Sequence, residues 1–225
     1  GNEGNTQTHV SGILTRQGDT VDIGIQIEEE EKSLMIEVWL SRPDRVKLLI
    51  ISPSGEESKI VDLSNYDLVS GTFDLEATVY SIRYSYPTSY SGQEHTTIYL
   101  TNAKRGIWIL RLEGAYITGG QYNVYLQNRV FLNEGTKFNE SNPNFTITYP
   151  SVQDDVITIG TYNSITRSLW PSSSRGPNIE NRQKPDVVAP GVNIIGPYLN
   201  NSYATITGSS AAAAHASGAI ALFFE

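Results

Sequence analysis

Two serines open the last segment of the chain, and their setting could make one of them a nucleophile. Ser209 and Ser210 follow Gly208 and precede a run of helix-forming residues. At a helix N-terminus, unpaired N–H groups and the positive end of the helix dipole favour negative charge. A serine hydroxyl there is well placed to attack a carbonyl carbon and to have the resulting oxyanion stabilised. Serine is also a preferred N-cap, so this segment alone is also typical of a structural helix start.

The helix that follows these serines has almost no polar surface. Small residues dominate its first two turns, and large apolar residues dominate its last. A helix of this composition is expected to lie inside a sizeable domain rather than on its surface. We therefore predict a buried helix at the end of the chain.

The order of residues around Ser210 resembles a known signature. Subtilisin-like serine proteases carry Gly-Thr-Ser-Met-Ala-x-Pro-His-Val-x-Gly around their nucleophile, and the resemblance implies that Ser210 is that nucleophile. His215 then corresponds to the structural histidine of the same helix. The chain departs from the signature at Ser209, Ala211 and Ala214, which replace Thr, Met and Pro. These replacements leave the proposed chemistry untouched.

The chain begins with Gly-Asn-Glu-Gly, which on its own indicates only a turn. In the subtilisin-like family, a Gly-Asn-x-Gly segment ends a central strand, and its Asn side chain donates to the tetrahedral oxyanion. The resemblance therefore implies that Asn2 is the oxyanion-hole donor. It also implies that Glu3 and Ser209 lie at the rim of the substrate-binding pocket.

Two further stretches match the family in the same order. Ser-Ser-Ser-Arg-Gly-Pro occupies 172–177, and Lys-Pro-Asp-Val-Val-Ala-Pro-Gly occupies 184–191, after a short apolar strand within 155–162. Strand, Gly/Pro loop, strand and buried helix favour an α/β domain with a covered parallel sheet. By the same resemblance, the Tyr149–Pro150 bond is expected to be cis.

Residues 6–148 show a different pattern. Apolar residues alternate with polar ones, and clusters of Gly, Pro, Asn and Asp separate the runs. Period-2 strands at this spacing predict an antiparallel sandwich or jelly roll. The predicted strands cover 21–27, 34–40, 46–52, 96–101, 107–112 and 122–126.

The two patterns together predict an insertion. Residues 1–5 and 149–225 would form a partial α/β subtilisin-like domain, with a parallel sheet and a buried helix, around an all-β jelly-roll or sandwich domain at 6–148. Without that insert, Asn2 and Ser210 would lie 65 positions apart, a spacing ordinary for subtilisins. This layout is similar to that of the Csp germination proteases of spore-forming bacteria. Their implied substrate is the zymogen of a cortex-lytic peptidoglycan hydrolase.

Composition excludes several other classes of protein. A net charge of −8 argues against nucleic-acid binding, and no stretch approaches the roughly 20 apolar residues of a membrane span. Without cysteine, the chain has no disulfide, zinc-thiolate site or cysteine nucleophile. We expect no cofactor. Subtilisins often bind calcium, but no loop here can be assigned to it.

For the other candidate sites in the β region, a structural role explains the residues at least as well as a functional one. The four glutamates of 28–31 are typical of a solvated turn, and His9 and His95 are typical of surface or packing histidines. A group of tyrosines could line a surface for a glycan or a partner protein, although scattered tyrosines are also ordinary in sandwiches. These are Tyr80, Tyr84, Tyr86 and Tyr90.

The chain lacks two members of a triad. Subtilisins run Asp, His and Ser along the sequence, so Asp and His would precede Asn2. We therefore expect a fragment of an endopeptidase that is inactive alone and needs the N-terminal half of its domain. The parent would act on protein or peptide substrates, with a propeptide as a further partner, outside a bacterial cell or on its spore. The alternative is a pseudoprotease that serves as a signalling scaffold, with the β insert as a protein- or glycan-binding module.

Overall fold

The structure, a computed structural model, describes residues 1–62, 68–85, 88, 92–178 and 181–225. The chain divides into two compact units. One consists of Gly1–Thr6 with Pro143–Glu225, and the other of Gln7–Asn142. We call them the terminal unit and the β unit.

The β unit contains two antiparallel sheets. Its strands are β1 (His9–Ile13), β2 (Thr20–Ile27), β3 (Glu31–Leu40), β4 (Arg45–Ile51), β5 (Leu68–Phe73), β6 (Thr78–Ser85), β7 (Glu94–Ala103), β8 (Gly106–Tyr116), β9 (Gln121–Leu126) and β10 (Lys137–Phe138). The first sheet has the order β1-β9-β3-β7-β6-β5, and the second has the order β10-β2-β8-β4. A short 3-10 helix spans Arg129–Phe131.

Six strands of the β unit form where the sequence predicts them, because alternate residues face one shared core. In β2, Ile23, Ile25 and Ile27 are all buried while the residues between them are not. Trp108 lies opposite Ile25 in the register of β2 and β8, is fully buried, and meets Phe73 edge-on at 5.1 Å. The six predicted strands are therefore confirmed, within a few residues at their ends.

The first and last segments of the β unit are hydrogen-bonded to each other. The Phe138 N–H donates to the Gln7 carbonyl at 2.9 Å, and the Asn142 N–H donates to the His9 carbonyl at 2.9 Å. The His9 ring donates back from Nδ1 to the Asn142 carbonyl at 2.9 Å, and Asn142 Nδ2 donates to Ser11 Oγ at 2.7 Å. We call this group of contacts the clasp.

Two buried carboxyl groups of the β unit have opposite settings. Burial raises the pKa of Asp44, but N–H donors from Thr118 and Gly120 outweigh it and hold that pKa below its ordinary value. Glu94 is fully buried, and burial raises its pKa to about 8 despite a hydrogen bond from the Val46 N–H. At neutral pH, Asp44 is therefore ionised and Glu94 is mostly protonated.

The terminal unit contains less regular secondary structure than the β unit. Its strands are β11 (Ile159–Asn163), β12 (Ser168–Leu169), β13 (Val187–Pro190), β14 (Ile194–Tyr198) and β15 (Ser202–Ile206), and its helix is α1 (Ser209–Phe223). The sheet order is β12-β11-β13, and β14 and β15 form a separate hairpin. The Tyr149–Pro150 bond is cis, so that prediction is confirmed.

The predicted fold class, an α/β partial domain with a parallel sheet and a buried helix, is wrong. The described part of the chain is mostly β, with a single α-helix and largely antiparallel pairing. β11 and β13 pair in parallel, but β12 joins β11 in the antiparallel sense. Each parallel neighbour needs its own crossover connection, and the described residues of this unit supply only one such pairing.

The prediction of a buried helix is also wrong. Only Ala211 and Ala212 of α1 are buried, whereas Phe223 is 87% exposed and Leu222 and Phe224 are nearly as exposed. Composition indicates that a helix favours an apolar environment, but it does not supply the element that covers it. Small residues meet the sheet here, and the large ones face solvent. Among the described residues, no helix has the length and hydropathy needed to cross a membrane.

Two interpretations of the β region also change. Tyr80 and Tyr84 face the core from β6, so they line no surface, while Tyr86 and Tyr90 lie outside the described residues. The first three glutamates of 28–31 are exposed, as a solvated turn predicts. Glu31 is instead buried at the start of β3, where its carboxylate accepts hydrogen bonds from Asn133 and Thr136.

Candidate functional site

The start of α1 is held against the end of β13. The Gly208 N–H donates to the Gly191 carbonyl at 2.8 Å. A Cβ atom at Gly191 would lie 2.7 Å from the Gly208 carbonyl oxygen and 2.6 Å from Thr161 Cγ2. Any side chain at this position would push the helix away, so glycine is required for the close approach.

The beginning of β13 is fixed by a buried lysine. Lys184 Nζ donates to Asp186 Oδ2 and to the Val156 carbonyl, each at 2.8 Å. The Thr158 N–H donates to the same Asp186 oxygen at 2.7 Å. The Lys184 hydrogen bond, followed by that of Thr158, lowers the pKa of Asp186. The carboxylate therefore stays ionised and ties β13 to the segment before β11.

The first four residues run along the Ser172–Ser174 stretch. The Ser174 N–H donates to the Gly1 carbonyl, and the Gly4 N–H donates to the Ser172 carbonyl, both at 3.0 Å. The Glu3 N–H donates to Ser174 Oγ at 3.0 Å. A Cβ atom at Gly4 would fall 2.2 Å from a backbone oxygen of this stretch, so only glycine fits there.

This pairing brings Asn2 to the start of α1. Its Oδ1 accepts the Ser209 N–H at 3.0 Å, across 207 positions of sequence. Gly208 is the N-cap residue and has no side chain to accept a helix N–H. The Asn2 side chain caps the helix instead. A backbone N–H requires an acceptor, so the oxygen of the carboxamide must face Ser209. The Asn2 Nδ2 group, with two N–H donors, then lies on the other side of the carboxamide.

The other predicted site residues lie beside this contact. Ser210 is exposed in the first turn of α1, Ser209 is half-buried, and Glu3 is half-buried with its N–H on Ser174. An exposed hydroxyl, helix N–H groups and a carboxamide donor can together receive a carbonyl group and the negative charge that forms on its oxygen. The structure brings Asn2 to Ser209, and the roles of nucleophile and oxyanion donor stay predictions.

The three histidines contribute no general base to this arrangement. His215 uses Nδ1 to donate to the Ala211 carbonyl of its own helix at 3.1 Å. His9 and His95 belong to the β unit, where His9 stacks on Tyr125 and His95 stacks on Trp39. Both are packing residues, as the sequence predicted. No group of three His, Asp or Glu side chains able to hold a metal ion occurs in the described part of the chain.

Sequence reasoning assigned no role to Ser174 or Gly191, although both fall within the stretches that match the family. Serine next to serine gives no signal of which hydroxyl reaches another segment. A glycine that follows a proline is equally typical of an ordinary turn. The partners of both residues lie far away in sequence, so their roles become visible only in the structure.

Residues 128–225 match the model of the Subtilase family. The entire chain aligns with the structure of the Clostridium perfringens CspB protease, with a TM-score of 0.87 and 28% sequence identity, and it covers 47% of that chain. This C-terminal segment of the chain is therefore similar to the subtilase family. The likeness to CspB extends through the β unit as well as the terminal unit.

Curated relatives match this chain over shorter stretches. It is 40% identical over 76 residues to the major intracellular serine protease of Bacillus subtilis, and 44% identical over 64 residues to serine protease AprX of the same organism. It is 38% identical over 80 residues to subtilisin DY of Bacillus licheniformis. These matches cover 34%, 26% and 36% of this chain and 22%, 14% and 27% of the relatives. The chain therefore spans under a third of these relatives and about half of CspB.

Proposed function

We propose that this chain is the part of a subtilisin-like serine endopeptidase that carries the nucleophile and the oxyanion-binding groups. The observation that supports this most directly is the hydrogen bond between Asn2 Oδ1 and the Ser209 N–H. It joins the two predicted catalytic segments, and it turns the Asn2 amide hydrogens away from Ser209. The match of residues 128–225 to the Subtilase family supports the same reaction class.

In the proposed reaction, Ser210 Oγ attacks the scissile carbonyl carbon of a protein substrate. Its proton passes to a histidine in the N-terminal half of the domain, which an aspartate of that half orients. The Asn2 Nδ2–H and the Ser210 N–H donate to the oxyanion of the tetrahedral intermediate. When the intermediate collapses, the histidine gives its proton to the leaving amine, and water later hydrolyses the acyl-enzyme.

The N-terminal half is also the proposed cover for the exposed apolar surface of the terminal unit. Neighbouring residues of a strand point to opposite faces, and Val187 and Val188 of β13 are both about half exposed. The last turn of α1 exposes Leu222 and Phe223 as well. Parallel strands and apolar helices are ordinarily covered on both faces. The chain spans 47% of CspB, so a relative of that size has further chain for this purpose.

We further propose that the parent protease acts in spore germination, outside the cell or on the spore, and activates the zymogen of a cortex-lytic hydrolase. The support is the likeness to CspB over both units. A propeptide is proposed as a further partner, as in the subtilisins. We propose no cofactor for the reaction.

The test is covalent labelling of the full-length protein with a fluorophosphonate probe. We expect labelling at Ser210, and we expect Ser210→Ala to abolish it and to lower kcat by about 10⁴-fold or more. Ser202→Ala, a change of the same size at an exposed residue of β15, should leave labelling intact. A wild-type protein that takes up no probe would contradict the endopeptidase and favour the signalling scaffold instead.

A further inference from the structure

We propose that Ser174 is a positioning residue that holds the Asn2 carboxamide in its oxyanion-binding orientation. This inference rests on the proposed function, because it assigns Ser174 a part in the same reaction. Ser174 is buried and touches the Asn2 segment at two points.

The first step of the argument concerns the backbone on either side of Asn2. The Ser174 N–H binds the Gly1 carbonyl before it, and Ser174 Oγ receives the Glu3 N–H after it, both at 3.0 Å. The two peptide groups that flank Asn2 are thus fixed by one residue. Because those peptide planes set the direction of the Cα–Cβ bond, Ser174 determines where the Asn2 side chain begins.

The second step concerns the far end of the same side chain. Oδ1 is fixed by the Ser209 N–H at 3.0 Å, so the Asn2 side chain is anchored at its root and at its tip. A Cβ atom at Gly208 would lie 3.4 Å from Asn2 Nδ2, so the carboxamide also packs closely on the N-cap residue. These anchors fix the direction of the Nδ2 hydrogens before any substrate arrives. Donors that are oriented in advance are the ones that stabilise a transition state most effectively.

The third step is the choice of a hydroxyl as acceptor. The backbone hydrogen bonds to Gly1 and Gly4 would survive any substitution at Ser174 that keeps the strand pairing. The bond to the Glu3 N–H depends on the side chain alone. Ser174→Ala therefore leaves one partly buried donor without its partner, at the residue directly after Asn2, and allows that peptide to turn.

We expect Ser174→Ala to lower kcat of the full-length enzyme by about 10-fold, since displacements of about 1 Å in a catalytic group cost up to about 10²-fold. KM should change less than about 2-fold, because Asn2 acts on the oxyanion rather than on the bound substrate. Ser168→Ala is the matched control, because it removes an exposed hydroxyl that is hydrogen-bonded to Thr166 in the same unit. This control should keep the wild-type kcat.

A double-mutant cycle separates positioning from a general loss of structure. If Ser174 acts through Asn2, Ser174→Ala should lower kcat no further in an Asn2→Ala background. An equal loss in both backgrounds would overturn the proposal and leave Ser174 a merely structural residue. Ser210-dependent hydrolysis with a wild-type kcat for Ser174→Ala would also overturn it, while the proposed function would stand.

A second measurement does not depend on activity. Amide hydrogen exchange of the full-length protein should show faster exchange of the Ser209 N–H in Ser174→Ala, by about 10-fold or more, and no change in Ser168→Ala. Asn2→Asp should keep this protection, because it retains the oxygen acceptor. An unchanged exchange rate of the Ser209 N–H in Ser174→Ala would overturn the positioning role. A full-length protein that shows this exchange pattern but takes up no fluorophosphonate would place the failure in the proposed function instead.

Discussion

The β unit and the terminal unit place their apolar side chains in opposite ways. In the β unit, residues from both sheets, such as Ile25, Trp108 and Leu100, are fully buried in one core. In the terminal unit, Phe223 is largely exposed and Val188 is about half exposed, and the only buried residues of α1 are two alanines. The two units have similar kinds of strand-forming residues, so composition alone does not explain the contrast.

The difference lies in where each unit finds its pairing partners. Strands of the β unit pair with strands of the same unit, in two antiparallel sheets that cover each other's apolar residues. The terminal unit has one parallel pair, β11 and β13, and a helix whose small residues meet it. Parallel sheets require cover on both faces, and the described residues of this unit provide only one helix for it. The β unit covers its own apolar residues, whereas the terminal unit leaves large apolar side chains exposed.

The sharpest test of this contrast is to separate the two units. We expect residues 7–142 alone to unfold in one cooperative thermal transition, because their core is complete. We expect the terminal unit alone, with residues 1–6 joined to 143–225 by a short linker, to aggregate or to bind a hydrophobic dye, because its exposed apolar side chains remain uncovered. Circular dichroism and dye fluorescence measure the two outcomes. A cooperative thermal transition of the isolated terminal unit would contradict this contrast between the two units.

Matched truncations of aromatic residues should differ by several kcal/mol. Trp108→Ala removes a fully buried side chain from the β unit and should lower its free energy of unfolding by about 3–5 kcal/mol. Phe223→Ala removes an 87% exposed ring and should change the stability of this chain by less than about 0.5 kcal/mol. Urea titration of the chain measures both. In the full-length protein, Phe223→Ala should become destabilising, and equal small effects there would contradict the proposed cover.

A smaller effect should appear in the pH dependence of the β unit. The pKa of Glu94 is about 8 in the folded state, against an ordinary value of 4.5. The contribution of Glu94 to the free energy of unfolding is fully present below about pH 4.5 and is lost as pH rises towards 8. The reason is that the unfolded chain loses the Glu94 proton at a lower pH than the folded chain does. We compare the unfolding free energy of Glu94→Gln with that of the unmodified unit. This difference should be more favourable to the variant at pH 8 than at pH 5, by about 1–3 kcal/mol.

The control for this pH effect is Glu134→Gln, which neutralises an exposed carboxylate of the same unit. Its unfolding free energy should follow that of the unmodified unit from pH 5 to pH 8. Denaturant titrations of residues 7–142 at several pH values make the comparison. Parallel curves for Glu94→Gln and the unmodified unit would refute the buried, protonated state of this carboxyl.

The sequence predicted the β unit well because its signal is local. The alternation of apolar and polar residues in β2 and β3 indicates which residues face inward, and neighbouring strands of the same unit complete the core. The tyrosines of β6 show the limit of that reasoning. A binding surface was one of two interpretations of Tyr80 and Tyr84, although the same period of two places them on the core face.

In the terminal unit, motif resemblance succeeded where composition failed. The stretch order predicted that Asn2 would come near the Ser209–Ser210 pair, and the hydrogen bond to Ser209 follows that expectation. The predicted parallel sheet and buried helix were wrong, because burial depends on residues that come from elsewhere. No local pattern could have assigned the role proposed for Ser174, whose hydroxyl receives an N–H from a segment 171 positions away.

The clasp has a consequence for how a chain of this layout can change. Gln7 touches Phe138, and His9 touches Asn142 across 133 positions, so the long excursion of the chain leaves and returns at one place. A segment of this kind can be excised and its cut ends rejoined by a brief turn, or exchanged for another of any length, without rethreading what it interrupts. Deleting residues 8–141 and linking the ends tests whether the terminal unit folds without the β unit.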